Sequence, residues 1–348
     1  MEKYSGQTEI ENVTEQKYLG FVLSNTGDNM ANIREIKKKA IGIVKKTLNK
    51  LDSLHLKEYY FECAIIMMNV MIRSSILYAS DMYYQLKETE LRQLERIEES
   101  YLRQVLKTTK GCPINQLYLC LGQHPARFEI QKMRLLYLKY ILHEEESSLL
   151  YKFFNLQLDM PTKGDWVSTC QNDLKELKIS HTFDEIKLMS KNQFNKLLKE
   201  RLRENALKYL AGKQGSKGSE TIYLDLSMSE YLLPTNSELS IEEKQQLFSV
   251  KTRMKNIPSN YPKPNESYVC HCGQREDMEH IYICEMYNEG KKTELEYEKI
   301  HTGNISEQIK VFRTFETNFE KRRIIRTKET FPCDPSEIHC SCNSTVMG

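Results

Sequence analysis

The chain has 348 residues, of which 28% are charged and 9% aromatic, with 50 Lys and Arg against 48 Asp and Glu and a net charge of +2. That length holds two or three domains with a sizeable core, and the Leu- and Ile-rich composition excludes a disordered chain. Near-neutral charge excludes a uniformly basic or acidic protein, so any charge-driven recognition must come from local patches.

Met1 to Gly20 has no apolar h-region of a secretory leader. The longest greasy stretch, Cys63 to Tyr78, is broken by Asn69 and Arg73 and reads as a buried core helix rather than a bilayer span. The expectation is an intracellular protein, nuclear or cytoplasmic, with no membrane partner and with its ten cysteines reduced. Residues 1–30 read as a short β-hairpin, with Tyr18-Leu19-Gly20-Phe21-Val22-Leu23 as its clearest strand and Asn25 to Asn29 as the following turn.

From there to about Tyr209 the pattern is helical. In residues 31–160, Ile33, Ile36, Ala40, Ile43, Val44 and Leu48 form one apolar face, and Leu91, Leu94, Ile97, Tyr101, Leu102 and Val105 form another. Asn32 to Lys50 carries seven basic residues against one acid, and Ser190 to Gly218 carries eight against two. Lys37, Lys38, Lys39, Lys45, Lys46, Lys196, Lys199, Arg201, Arg203 and, further on, Arg253 are therefore candidate phosphate ligands; the alternative is a set of solvated helix faces. Gln123-His124-Pro125 reads as a turn between helices, and Trp166 as a packing anchor. Residues 161–245 read as a second helical region and a basic, glycine-containing linker, 211–218, which lacks the P-loop spacing.

In residues 246–290, Cys270, Cys272, His280 and Cys284 read C-x-C-x7-H-x3-C. Three thiolates and one imidazole are the donors of a closed tetrahedral zinc site, and four protein ligands leave no open position, so the expected role is structural. A helix starting near Glu279 aims His280 and Cys284 at one point. His271 is an alternative ligand, and the competing reading is unrelated buried thiols beside a surface histidine. Residues 291–348 read as a final helix, Glu307 to Ile325, ending in Lys321-Arg322-Arg323, and a tail in which Cys333, His339, Cys340 and Cys342 form a weaker cluster. No Asp-Asp pair, G-x-S-x-G elbow, H-E-x-x-H, Walker loop or dinucleotide fingerprint occurs. The fold class expected is mainly α: a helical bundle after a short hairpin, followed by a small zinc-knuckle-like module.

Three stretches resemble the region downstream of the polymerase active site in non-LTR (LINE-type) retrotransposon reverse transcriptases. They are Glu9 to Val13 leading into Lys17-Tyr18-Leu19-Gly20, Ile76 to Asp81 with Gln116 to His124, and Leu247 to Met254 with Asn260 and the cysteine cluster. The resemblance implies a palm–thumb hairpin remnant, a thumb-like helical domain and a C-terminal knuckle, in that order. It implies RNA or DNA as partner and no enzymatic activity, since fingers, palm and the family's catalytic aspartates have no counterpart here. Pro332-Cys333-Asp334-Pro335 also lacks the family's endonuclease pair. The alternative expectation is a host-retained helical interaction module with a structural zinc site.

Overall fold

In the computed structural model, which describes residues 13–25, 29–54, 59–83, 86–162, 164–212, 239–252, 269–270, 272–288 and 292–330 (backbone alone for 301–302 and 327–330), the chain is mainly α-helical after a short antiparallel hairpin. Strands β1 (Glu15–Tyr18) and β2 (Phe21–Ser24) pair Tyr18 with Phe21. Leu19 and Gly20 are therefore a two-residue turn and not the middle of one strand. Their φ angles are +46° and +87°, the left-handed pair that matches strand twist in a tight hairpin, and glycine meets that demand without strain. The Tyr78 hydroxyl donates to the Leu19 carbonyl. Val22 N–H donates to Asn32 Oδ1 at 3.2 Å and Asn32 Nδ2 donates to the Tyr83 hydroxyl at 2.7 Å, which ties the hairpin to the helices beside it.

The first of two compact units continues with α1 (Met30–Ser53), whose Ile33, Ile36, Ala40 and Val44 are buried against α4 (Glu88–Val105). Between them α2 (Tyr60–Met67) widens into a π-helical turn (Met68–Arg73) and closes in α3 (Ser74–Ile76). This stretch is only partly a core helix: Ile66 and Val70 are exposed, while Arg73, which interrupts the greasy sequence, is buried. Its guanidinium pairs with the fully buried Glu98 (Nε to Oε1, 2.7 Å) and also reaches Asn69, Gln123 and the His124 carbonyl. Glu98 Oε2 accepts from the Tyr118 hydroxyl at 3.0 Å and from Ala126 N–H at 2.9 Å. One carboxylate thus holds the π-turn, α4, α5 (Ile114–Cys120) and the start of α6 (Ala126–Leu142) together, and its lone pairs are satisfied as a buried charge requires.

Helices α7 (Leu149–Asp159), α8 (Trp166–Glu176), α9 (Phe183–Leu188) and α10 (Lys191–Gly212) share one core with α6, built on Phe128, Leu138, Phe154, Leu174, Phe194 and Leu198. Asp165 caps α8 by accepting from Ser168 N–H at 2.6 Å, and Thr182 with Glu185 caps α9 reciprocally. Trp166 is a packing anchor with a polar handle: its Nε1 donates to the Asp81 carbonyl at 2.7 Å and its ring meets Tyr137 edge-on.

The second unit holds α11 (Ile241–Lys251), α12 (Met278–Ile283), α13 (Glu294–Thr302) and α14 (Ile305–Thr330). Leu247, Val250, Ile281, Tyr297, Ile300, Phe312 and Phe315 form its core. Ser240 and Glu243 make the capping box that starts α11. The readings made for Glu9 to Asn12, the linker at 213–218, Arg253, Asn260, His271 and the Cys333, His339, Cys340 and Cys342 group lie outside the described residues.

Candidate metal centre and basic groove

The segment that carries the cysteines folds back on itself immediately. Cys270 N–H donates to the Gln274 carbonyl and Gly273 N–H to the Cys270 carbonyl, both at 2.8 Å, and Val269 bridges Arg275. Gly273 sits at φ +86°, the left-handed conformation this reversal needs. A spacing of one residue between Cys270 and Cys272 is enough here because the turn, and not a longer loop, brings both thiols to the same side. Asp277 then caps α12 by accepting from His280 N–H at 2.8 Å, and Cys284 N–H closes the helix on the His280 carbonyl. The helix starts at Met278, within a residue of the expected position.

The four donor atoms lie within 4.8 Å of one another, with Cys270, His280 and Cys284 buried and Cys272 exposed. Cys270 Sγ and Cys284 Sγ are 3.7 Å apart, too far for a disulfide, and Cys272 Sγ is 3.3 Å from His280 Nε2. A tetrahedral zinc ion, with sulfur at about 2.3 Å and nitrogen at about 2.0 Å, sets such pairs about 3.8 and about 3.5 Å apart. The cluster can hold a metal ion, and its donor set and these two separations are compatible with zinc. Electrostatics agree. Burial acts to raise the Cys270 thiol, but hydrogen bonds from the Cys272 backbone, Tyr287 and His280 outweigh it and bring it down to about 6. Cys284 is pushed up to about 12 by burial and by the neighbouring Cys270 sulfur. One sulfur thus ionises at the expense of the other, and a cation between them is what would let both sit as thiolates at this distance.

A buried shell stands behind the ligands. The Tyr287 hydroxyl is 3.3 Å from both Cys270 Sγ and Glu276 Oε1. Glu276, with no exposed side-chain surface, is clamped by Arg322 (Nη2 to Oε2, 3.0 Å) and Arg326 (Nη2 to Oε2, 2.5 Å), and Arg326 also donates to the Val269 carbonyl. Asn318 reaches the Ile281 and Tyr282 carbonyls, Lys321 the Tyr287 carbonyl, and Ile325 packs on Cys270, Cys284 and Tyr287. Sequence reasoning missed Glu276, Tyr287, Arg322 and Arg326 as parts of this centre. A signal existed in the i, i+4, i+7, i+8 recurrence of Asn318, Arg322, Ile325 and Arg326 along α14, which divides the basic run: Lys321 and Arg322 face the knuckle, while Arg323 pairs outside with Glu320.

The candidate phosphate ligands are scattered. Lys37, Lys38, Lys39, Lys45 and Lys46 are all exposed on α1, but only Lys37 and Lys45 line a groove of about 900 Å³ between α1 and α4. From α4 the groove receives Arg96 and Arg103, and from the turn that follows it Lys107. Sequence reasoning missed these three, although Arg92, Arg96, Arg103 and Lys107 recur at helical spacings of four, seven and four. Arg92 is neutralised by Glu95 and Glu99, and Arg103 is bound to the Thr109 and Cys112 carbonyls. Among the described residues Lys37, Lys45, Arg96 and Lys107 have no ion-pair partner, and Asp52 is the lining's carboxylate. On α10, Lys196, Lys199 and Arg203 are exposed and Arg201 pairs with Glu204 at 3.2 Å; none of them lines the groove.

No family model, curated protein or solved structure matches this chain. Among the described residues no helix is long and apolar enough to cross a membrane.

Proposed function

We propose that this chain is a non-enzymatic nucleic-acid-binding protein that holds phosphate backbones in the groove between α1 and α4, and that its Cys270, Cys272, His280 and Cys284 cluster carries a structural zinc ion. The observation that supports the reading is the groove itself: Lys37, Lys45, Arg96 and Lys107 converge on one concave surface without carboxylate partners. Unpaired cations on a concave wall concentrate a field that a phosphate backbone satisfies by releasing its counterions. The resemblance to the C-terminal part of non-LTR retrotransposon reverse transcriptases points to the same ligand class. A zinc ion bound by four protein donors would contribute folding free energy to its module and leaves no coordination position for chemistry.

The experiment is fluorescence anisotropy of labelled RNA and of labelled DNA duplex with the full chain over a salt series. The triple variant Lys37→Gln, Lys45→Gln, Arg96→Gln is expected to flatten the slope of log affinity against log salt by about one unit for each phosphate that is no longer neutralised. The triple variant Lys196→Gln, Lys199→Gln, Arg203→Gln, outside the groove, should change it less. Equal slopes for wild type and groove variant, or no salt-dependent binding at all, would refute the reading.

A further inference from the structure

The outer face of α7 serves neither the groove nor the metal centre. Leu149, Phe153, Leu156 and Met160 recur at spacings of four, three and four, which places them within about 60° of one another around the helix. They are 70%, 55%, 51% and 68% exposed. The inner face of the same helix is already satisfied, with Phe154 buried in the core and Leu150 and Leu158 packed against it. The stripe starts on the first residue of α7 and ends on its C-cap, so the whole helix presents it. Alternating steps of three and four are the seam of two helices that pack side by side, whereas ordinary exposed apolar residues are scattered singly.

We propose that this face pairs two copies of the chain, α7 against α7, antiparallel about a two-fold axis. In that arrangement Phe153 meets Leu156 of the second copy and Leu149 meets Met160 of the second copy, so the four residues generate four closed layers. Lys152 and Asp159 lie together on one flank of the stripe, both exposed and, among the described residues, without an ion-pair partner. The same two-fold sets each Lys152 beside the second copy's Asp159, which gives two opposite-charge pairs; a parallel pairing leaves both charges unmatched. One symmetry operation therefore satisfies the apolar layers and the flanking charges together, which is what selects a second copy over an unrelated apolar partner. The four side chains supply about half of the roughly 800 Å² per partner that a stable interface buries, so association belongs in the range of about 10–100 µM. This inference is independent of the nucleic-acid reading.

Sedimentation of the full chain from about 1 to 200 µM tests it. A concentration-dependent monomer–dimer equilibrium is expected. Phe153→Glu, at an exposed position, should leave the helical circular dichroism unchanged and raise the dimer dissociation constant at least about tenfold. Lys152→Glu and Asp159→Lys, each alone, set like charges against each other and should weaken the dimer by about three- to tenfold, while the double exchange restores it to within about twofold. A chain that stays monomeric throughout, a dimer indifferent to Phe153→Glu, or a double exchange that fails to restore pairing overturns the proposal.

Discussion

The Glu129 carboxylate shows how a residue read only as part of a helix gains a role from its neighbours. Burial acts to raise its pKa, but a hydrogen bond with His124 at 2.8 Å and the Lys132 ammonium at 3.0 Å outweigh it and pull the group down to about 2 from the ordinary 4.5. A folded-state value below the unfolded one means that the carboxylate stabilises the fold fully above about pH 4.5 and loses that contribution as pH falls towards 2. At about 1.36 kcal/mol per unit the contribution is at most roughly 3 kcal/mol. Glu129→Gln is expected to be less stable than wild type at pH 7, with the gap closing as pH falls from 5 to about 2.5; urea unfolding across that range measures it. A gap of constant size at every pH would assign the cost to packing instead. His124 itself was legible as a turn residue from the proline beside it. Arg73 was legible only as a break in an apolar run, because its partner Glu98 is 25 residues away and nothing local marks the pair.

At the scale of elements, the helices were legible wherever an apolar stripe of period 3.6 was unbroken, as in α1 and α4. The hairpin strands were misread at Leu19-Gly20 because the run Tyr18 to Leu23 has the composition of a strand, and a leucine at φ +46° is not what turn chemistry leads one to expect. The candidate metal ligands were legible by donor type, but the wall behind them was not. Glu276 and Arg322 meet across 46 residues, and the carboxylate is held there by charge on a different helix. That wall orients Cys270 through Tyr287, so its loss should appear in metal affinity. Glu276→Gln is expected to weaken zinc binding by about 10- to 100-fold, as loss of an outer-shell partner does elsewhere. Competition with a chromophoric chelator reads this directly, and an affinity within about twofold of wild type would reduce Glu276 to a packing residue.

For the whole molecule, the described residues form two units with cores of their own, one centred on Phe128, Leu138 and Phe194 and the other on Leu247, Ile281, Phe312 and Phe315. All four candidate ligands, and Glu276, Tyr287, Arg322 and Arg326 behind them, belong to the second. Although Met278, Ile281 and Tyr282 of α12 join its main core, the described apolar packing around the sulfurs is only Cys270, Cys284, Tyr287 and Ile325, so a bound ion would supply folding free energy that this small cluster does not. The first unit needs none, because its stripes and the Arg73–Glu98 pair are independent of metal. Removing the ion with a chelator, or removing a ligand by Cys284→Ser, is therefore expected to lower the unfolding temperature of the second unit and leave that of the first within a degree or two. Hydrogen exchange resolves the two, with α12 and the 318–326 stretch of α14 losing protection while α4 and α6 keep theirs. Metal analysis completes the comparison: about one zinc per wild-type chain and less in the variant is the expected result. Equal zinc in both proteins, or equal loss of protection in both units, would show that the cluster does not bind a structural ion or that its effect is not confined to the unit that holds it.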